Sequence, residues 1–209
     1  MAKDSDTETR ILNAARAVFI RRGTSGARMQ EIAEEAGVNQ ALLHYYFRSK
    51  ERLSEAVFSE AATRMFPMVI QILGSDETIE KKVEGIVTTY LDNMSRSPFL
   101  PGYLISELHH HPERIHQLIR GVAGIELSTA LKPVLDKLDK QIATEVRRGR
   151  MRRISAQQFM ANLISLSVFP FAAQPMLRAA FGLDEDGFSK FIAVRKKELP
   201  QFIMSALTP

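Results

Sequence analysis

Residues 31–53, EIAEEAGVNQALLHYYFRSKERL, admit few folds, because the helical phase breaks twice within so short a run. Met29, Ile32, Ala33 and Ala36 stand at the spacing of one helical face, and Gly37 can take the left-handed conformation that ends a helix. Asn39 then caps a second short helix that closes at Phe47, and Ser49, followed by Lys50, Glu51 and Arg52, caps a third. Two helices joined by a turn of three or four residues containing glycine form a helix-turn-helix. DNA is therefore the first candidate partner.

The rest of the chain keeps helical spacing, and alternation of the strand type appears nowhere in it. Ser5 with Glu8 reads as a capping box ahead of the stripe Ile11, Leu12, Ala15, Val18 and Phe19, which stops at Arg21-Arg22-Gly23. The helix capped by Ser49 runs to about Leu73, a span of roughly 37 Å, with Pro67 inside it to bend or break its hydrogen-bond ladder. A further helix carries Ile79, Val83, Ile86, Val87, Tyr90, Leu91 and Met94 up to SPFLPGY. A short helix at Tyr103–His109 follows, then a segment from Pro112 to the RRGR at 147–150 with a kink at Pro133. Helices at about 156–180 and 187–207 complete an all-α chain of about nine helices. The division expected is a helix-turn-helix DNA-binding domain over 1–50 and a ligand-binding and dimerisation domain over 51–209.

The 209 residues are 45% hydrophobic, enough for a sizeable core. Net charge is only +4, so attraction to nucleic acid has to come from local placement of cations. The absence of cysteine excludes disulfides and thiolate metal sites and agrees with a reducing cytoplasm. MAKDSDTETR is polar and acidic where a secretory signal is basic and then apolar, so a cytoplasmic protein is expected. The most apolar run, FMANLISLSVFPFAA at 159–173, is too short for a membrane span and is interrupted by Asn162 and Pro170. It reads as a buried helix, and no membrane partner is expected.

That helix is apolar over nearly its whole circumference and needs cover on more than one side. The last helix offers a broad apolar face of its own. Two such helices from each of two chains would close a four-helix interface, giving a homodimer through Phe159, Leu163, Phe171, Phe188, Phe191, Phe202 and Ile203.

ARMQEIAEEAGVNQALLHYYFRSKERL resembles the N-terminal signature of the TetR family of bacterial transcriptional regulators. The resemblance rests on Ile32-Ala33, Ala36-Gly37-Val38, Tyr46-Phe47 and Lys50 in register; beyond this stretch it extends only to architecture. It implies a ligand-responsive regulator, a repressor released by an unknown small-molecule effector, that binds double-stranded, palindromic operator DNA. The physical reading of the motif puts Gln40 and Ala41, with Leu42 as a third candidate, at the N-terminus of the recognition helix against base edges. The resemblance assigns phosphate contacts to His44, Tyr45 and Lys50, the last at a helix N-terminus. Arg28 departs from the pattern, standing where Thr or Ser would cap the helix; its guanidinium can reach a phosphate but cannot cap.

The resemblance further implies an effector pocket between helices from about residue 76 onward, and Tyr90, Met94, Phe99, Tyr103 and Glu107 lie on segments that would face it. A buried Glu107 would favour a cationic ligand. The rival reading is a metal-dependent enzyme built on His109, His110, His111, Glu113 and His116. Pro112 interrupts any shared helix face there, and the chain has no His-Glu-x-x-His pattern, phosphate loop or nucleophile elbow. Neither an enzymatic role, a cofactor nor a metal is expected.

Overall fold

A computed structural model describes residues 2–102, 105 and 127–209. Within them the chain forms nine helices: α1 (Ala2–Gly26), α2 (Met29–Ala36), α3 (Gln40–Tyr46), α4 (Lys50–Gly74), α5 (Ile79–Arg96), α6 (Leu127–Arg147), α7 (Ala156–Ala172), α8 (Gln174–Phe181) and α9 (Glu185–Leu207). No strand occurs among the described residues. Apart from Ile105, the expected short helix at Tyr103–His109 lies outside them, as does the histidine cluster.

Local chemistry explains most boundaries. Ser49, Thr78, Ser155 and Asp184 each accept a backbone N–H bond at the start of α4, α5, α7 and α9, satisfying a donor that the helix itself cannot. Helix α1 begins earlier than the capping pattern predicts. It starts at Ala2, with neither glycine nor proline ahead of Ser5 to stop it, so Ser5 lies within the first turns and not at the N-cap position. Gly23, at φ 68° and ψ 164°, breaks the helical path of α1 at the expected stop.

A second correction concerns the expected single helix 156–180. It is two helices, α7 and α8, bent by 69° at a break. Pro175 in the first turn of α8 has no N–H to donate back to Phe171, and Ala173 leaves the helical region at φ −102°, ψ 19°.

Two hydrophobic cores form. The first takes Ile11, Ala15, Val18 and Phe19 from α1, Ile32 and Ala33 from α2, Leu43 from α3, and Leu53 and Val57 from α4. The second joins Val69 and Leu73 of α4 to α5, α6, α7 and α9, with Val83, Val87, Leu91, Leu138, Phe159 and Leu163 among its most buried members. Each such side chain contributes about 1.5–3 kcal/mol of burial. Helix α4 thus belongs to the first core at its beginning and to the second at its end.

The far end of α4 is held by two lysines. Lys82 of α5, fully buried, donates from Nζ to the Leu73 carbonyl at 2.6 Å and to Oε1 of Gln141 at 2.6 Å. Lys137 of α6 donates to the Gly74 carbonyl at 2.7 Å and pairs with Asp76 at 2.7 Å. Two of the last α4 carbonyls, which no helical N–H can reach, are satisfied in this way.

Candidate nucleic-acid interface

The turn between α2 and α3 is determined by three groups. Gly37, at φ 63° and ψ 37°, ends α2 and directs its N–H to the carbonyls of Ala33 and Glu34. Asn39 Oδ1 accepts the Leu42 N–H at 2.8 Å and starts α3. Arg10 of α1 reaches across and donates from Nη2 to the carbonyls of Ala36, at 2.7 Å, and Gly37, at 3.3 Å. Arg10 is a residue the sequence reading missed. Its signal was a long cation directly ahead of the α1 apolar stripe, within reach of a helix C-terminus whose carbonyls need donors. Ion pairs Arg21–Glu35 at 2.6 Å and Arg22–Glu31 at 3.4 Å add a second, exposed tie between α1 and α2.

On this frame α3 divides cleanly. Leu43 and Phe47 are buried in the first core and Tyr46 packs on it half-buried. Gln40, Ala41, His44 and Tyr45 are exposed, Tyr45 at 78%. Tyr45 meets Tyr46 edge-on, with ring centroids 5.4 Å apart, which steadies a side chain that otherwise stands in solvent. A nitrogen of the His44 ring lies 3.3 Å from the Arg48 carbonyl. Arg28 is exposed at the N-cap position of α2 and makes no capping bond, as its chemistry requires. Lys50 is placed otherwise than a free phosphate ligand would be: Nζ donates to the carbonyls of Ser25, at 3.0 Å, and Ala27, at 3.3 Å, holding the α1–α2 turn. Its ammonium still carries a third proton.

A cavity of about 400 Å³ opens between α1, α4, α5 and α7. Its described lining is mostly apolar, with Phe58, Met65, Met68, Tyr90, Met94 and Ile164 among its members, and its polar groups include Arg16, Asn93 and Arg96. Of the expected pocket residues, Tyr90 and Met94 are there. Burial pushes the Tyr90 hydroxyl up to about 12, so it stays a neutral donor. Phe99 is not in this cavity; its ring lies 5.6 Å from Phe19 against the first core, lining a separate cleft between α1 and α7–α8. Tyr103 and Glu107 lie outside the described residues.

The expected interface residues also divide. Phe159, Leu163, Phe171, Phe188 and Ile203 are buried within the single chain, because α7 and α9 pack on each other and on α5. Phe191 is half-buried between Phe181 and Phe188, with centroids 6.2 and 6.1 Å away. Phe202 is 63% exposed, and Phe169, Met176, Phe181 and Val194 are also exposed on α7, α8 and α9. No group of three or more metal-ligating side chains occurs among the described residues. No single helix among them is long and apolar enough to cross a membrane, although α7 and α8 reach that length as a bent pair.

Residues 11–57 match the model of the tetR family of bacterial regulatory proteins. The chain is 31% identical over 129 residues, 59% of its length, to the HTH-type transcriptional repressor SCO4008 of Streptomyces coelicolor, of which the match covers 66%. It is 33% identical over 91 residues, 44% of its length, to the HTH-type transcriptional regulator SrpR of Pseudomonas putida, of which the match covers 41%. The chain thus spans less than two thirds of these curated relatives. Among solved structures, the fold is similar over its whole length to the ketosteroid transcriptional regulator KstR2 of Mycobacterium tuberculosis, with a TM-score of 0.64, 13% identity and 97% and 95% of the two chains covered. It is likewise similar to the hemolysin II transcriptional regulator HlyIIR, with a TM-score of 0.57, 22% identity and 98% of each chain covered.

Proposed function

We propose, for a chain that belongs to the TetR family of bacterial transcriptional regulators, that it is a cytoplasmic repressor which binds a palindromic operator as a homodimer and leaves it when a small molecule binds. The observation that carries this reading is the division of α3, whose buried Leu43 and Phe47 anchor a helix with Gln40, Ala41, His44 and Tyr45 outward. Such a helix presents its N-terminus to base edges and its flanks to phosphates. Gln40 is the side chain able to read a base there, with two donors and an acceptor suited to adenine. Arg28, His44, Tyr45 and the remaining proton of Lys50 serve the backbone. The head comprises residues up to about 50 together with the first turns of α4, and the rest forms the ligand-binding and dimerising body.

Homodimerisation is supported by the exposed apolar side chains of α7, α8 and α9, with Phe202 and Phe169 foremost, since a monomer gains nothing by leaving them in water. Two heads must present their recognition helices about 34–36 Å apart to enter successive major grooves, so a ligand that favours another spacing weakens binding. The cavity between α1, α4, α5 and α7 supports a ligand-controlled body, because it touches both the head helix α1 and the linking helix α4. The test is selection of bound sequences from random DNA, followed by Gln40→Ala. Affinity for the selected site should fall by about 1–3 kcal/mol with random DNA unaffected, whereas Lys50→Ala should weaken both. Equal losses for Gln40→Ala on both DNAs would refute the assignment.

A further inference from the structure

The cavity that reaches α1 has a chemistry of its own. Its body is built from methionine, aliphatic and aromatic side chains: Met65 and Met68 of α4, Met94 of α5, Ile164 of α7. Unbranched thioether side chains adapt to the shape of what they meet, so such a wall accepts a flexible apolar chain without demanding one outline. The polar groups are of one sign. Arg16 and Arg96 line the cavity, and none of its described lining residues is an acid. Arg96 is exposed and makes no ion pair among the described residues, whereas Arg16 is half-buried and engaged by Asn13 at 3.0 Å and Glu60 at 2.7 Å.

We propose that this cavity takes an amphiphile with one anionic head, its apolar chain lying against Met65, Met68, Met94 and Ile164 and its head meeting Arg96 and then Arg16. This deepens the ligand-released reading above and rests on it only for the consequence in DNA binding. An anion at Arg16 competes directly with Glu60, and the Arg16–Glu60 pair is a link between the head helix α1 and the linking helix α4. Loading the cavity therefore loosens a head-to-linker tie through a charge exchange, with no need for a large displacement. A cationic amphiphile would meet two guanidinium groups instead, and a neutral one would gain only the apolar wall.

Isothermal calorimetry without DNA tests the inference, with decanoate, decyl sulfate, decanol and decyltrimethylammonium below their micellar concentrations. The two anions should bind at least tenfold more tightly than decanol, and the cation more weakly than decanol. Arg96→Gln, at an exposed position that does not threaten folding, should bring the anions to the level of decanol. Ala61→Trp, which fills the cavity from α4, should abolish binding of all four. Equal binding of all probes, an anion preference that survives Arg96→Gln, or binding that survives Ala61→Trp would each overturn the proposal. Operator release is measured separately. Arg96-dependent anion binding that leaves the operator complex intact would sustain the inference and refute ligand release. Release by some other molecule, with decanoate and decyl sulfate inert, would do the reverse.

Discussion

Replacing Lys82 with Met tests whether the end of α4 is held by hydrogen bonds or only by packing. The two side chains have similar length and volume, so the change leaves the apolar stem in place and removes the donors. The Leu73 carbonyl and Gln141 Oε1 each lose a bond of 2.6 Å from a charged group, and bonds of that kind are worth about 1.5–3 kcal/mol apiece. Against this stands the relief of no longer desolvating an ammonium, itself several kcal/mol. The net loss should be about 1–3 kcal/mol, or roughly 4–8 °C in Tm for a 2 kcal/mol loss in a chain of this length. Burial lowers the Lys82 pKa below 10.5, and the positive charge of Lys137 lowers it further, while Asp76 works in the opposite direction. Between that depressed value and 10.5 the unfolded chain binds more protons than the folded one, so the wild type gains stability as pH rises through this window. The Met variant lacks that gain. Thermal melts of both proteins at one fixed concentration, from pH 7 to 10.5, should show a stability gap that is present at pH 7 and widens upward. A variant as stable as the wild type at pH 7, or a gap that narrows with pH, would refute the reasoning.

Arg10→Ala should lower stability by about 0.5–1.5 kcal/mol, since two partly exposed carbonyls turn to water, and should cost more affinity for a selected operator than for random DNA, read by fluorescence anisotropy; unchanged discrimination would mean that Asn39 and Gly37 alone determine the angle of α3. Phe202→Asp, at a residue that the single chain leaves exposed, should preserve helicity by circular dichroism and shift sedimentation from dimer to monomer; a dimer that survives would move the interface away from this part of α9.

Helix existence was legible because apolar spacing and capping residues act within a few positions of each other: Asn39, Ser49, Gly37 and the 79–94 stripe needed no knowledge of the rest of the chain. The errors came from longer reach. Periodicity continues through Ala173 because Met176 and Leu177 keep the apolar count high, so the bend at Pro175 was hidden by composition. All-round apolarity in α7 asks for cover without saying where it comes from: α5, α6 and α9 supply most of it, which buries Phe159 and Leu163 within the single chain. Lys82 stands on the apolar stripe, three residues after Ile79 and four before Ile86, and a cation in such a position must find acceptors. Lys82 is a residue the sequence reading missed, and the rule by itself names neither Leu73 nor Gln141 as the acceptor. Arg10, Arg16 and Lys50 share this character, each bonding to a group at least 23 residues away in sequence, which no local pattern encodes.

The distribution of these long-range bonds bears on how α4 joins the two cores. At its start Leu53 and Val57 are buried in the first core, and Lys50 ties the helix to the carbonyls of Ser25 and Ala27. At its end Val69 and Leu73 are buried in the second core, and Lys82 and Lys137 hold the terminal carbonyls. Between them, residues 58–68 are at most half-buried where described, and Phe58, Ala61, Met65 and Met68 among them line the side of the cavity that α4 provides. Pro67 stands in that same stretch and leaves the Thr63 carbonyl without its helical donor. A helix clamped at both ends and missing one rung should yield first where the rung is missing, since the packed cores resist deformation more than a solvated turn does. The Arg16–Glu60 pair braces this weak stretch from α1. Removing the brace should therefore act on the segment of α4 least able to resist bending, and should let the two cores, each intact, turn relative to one another about it.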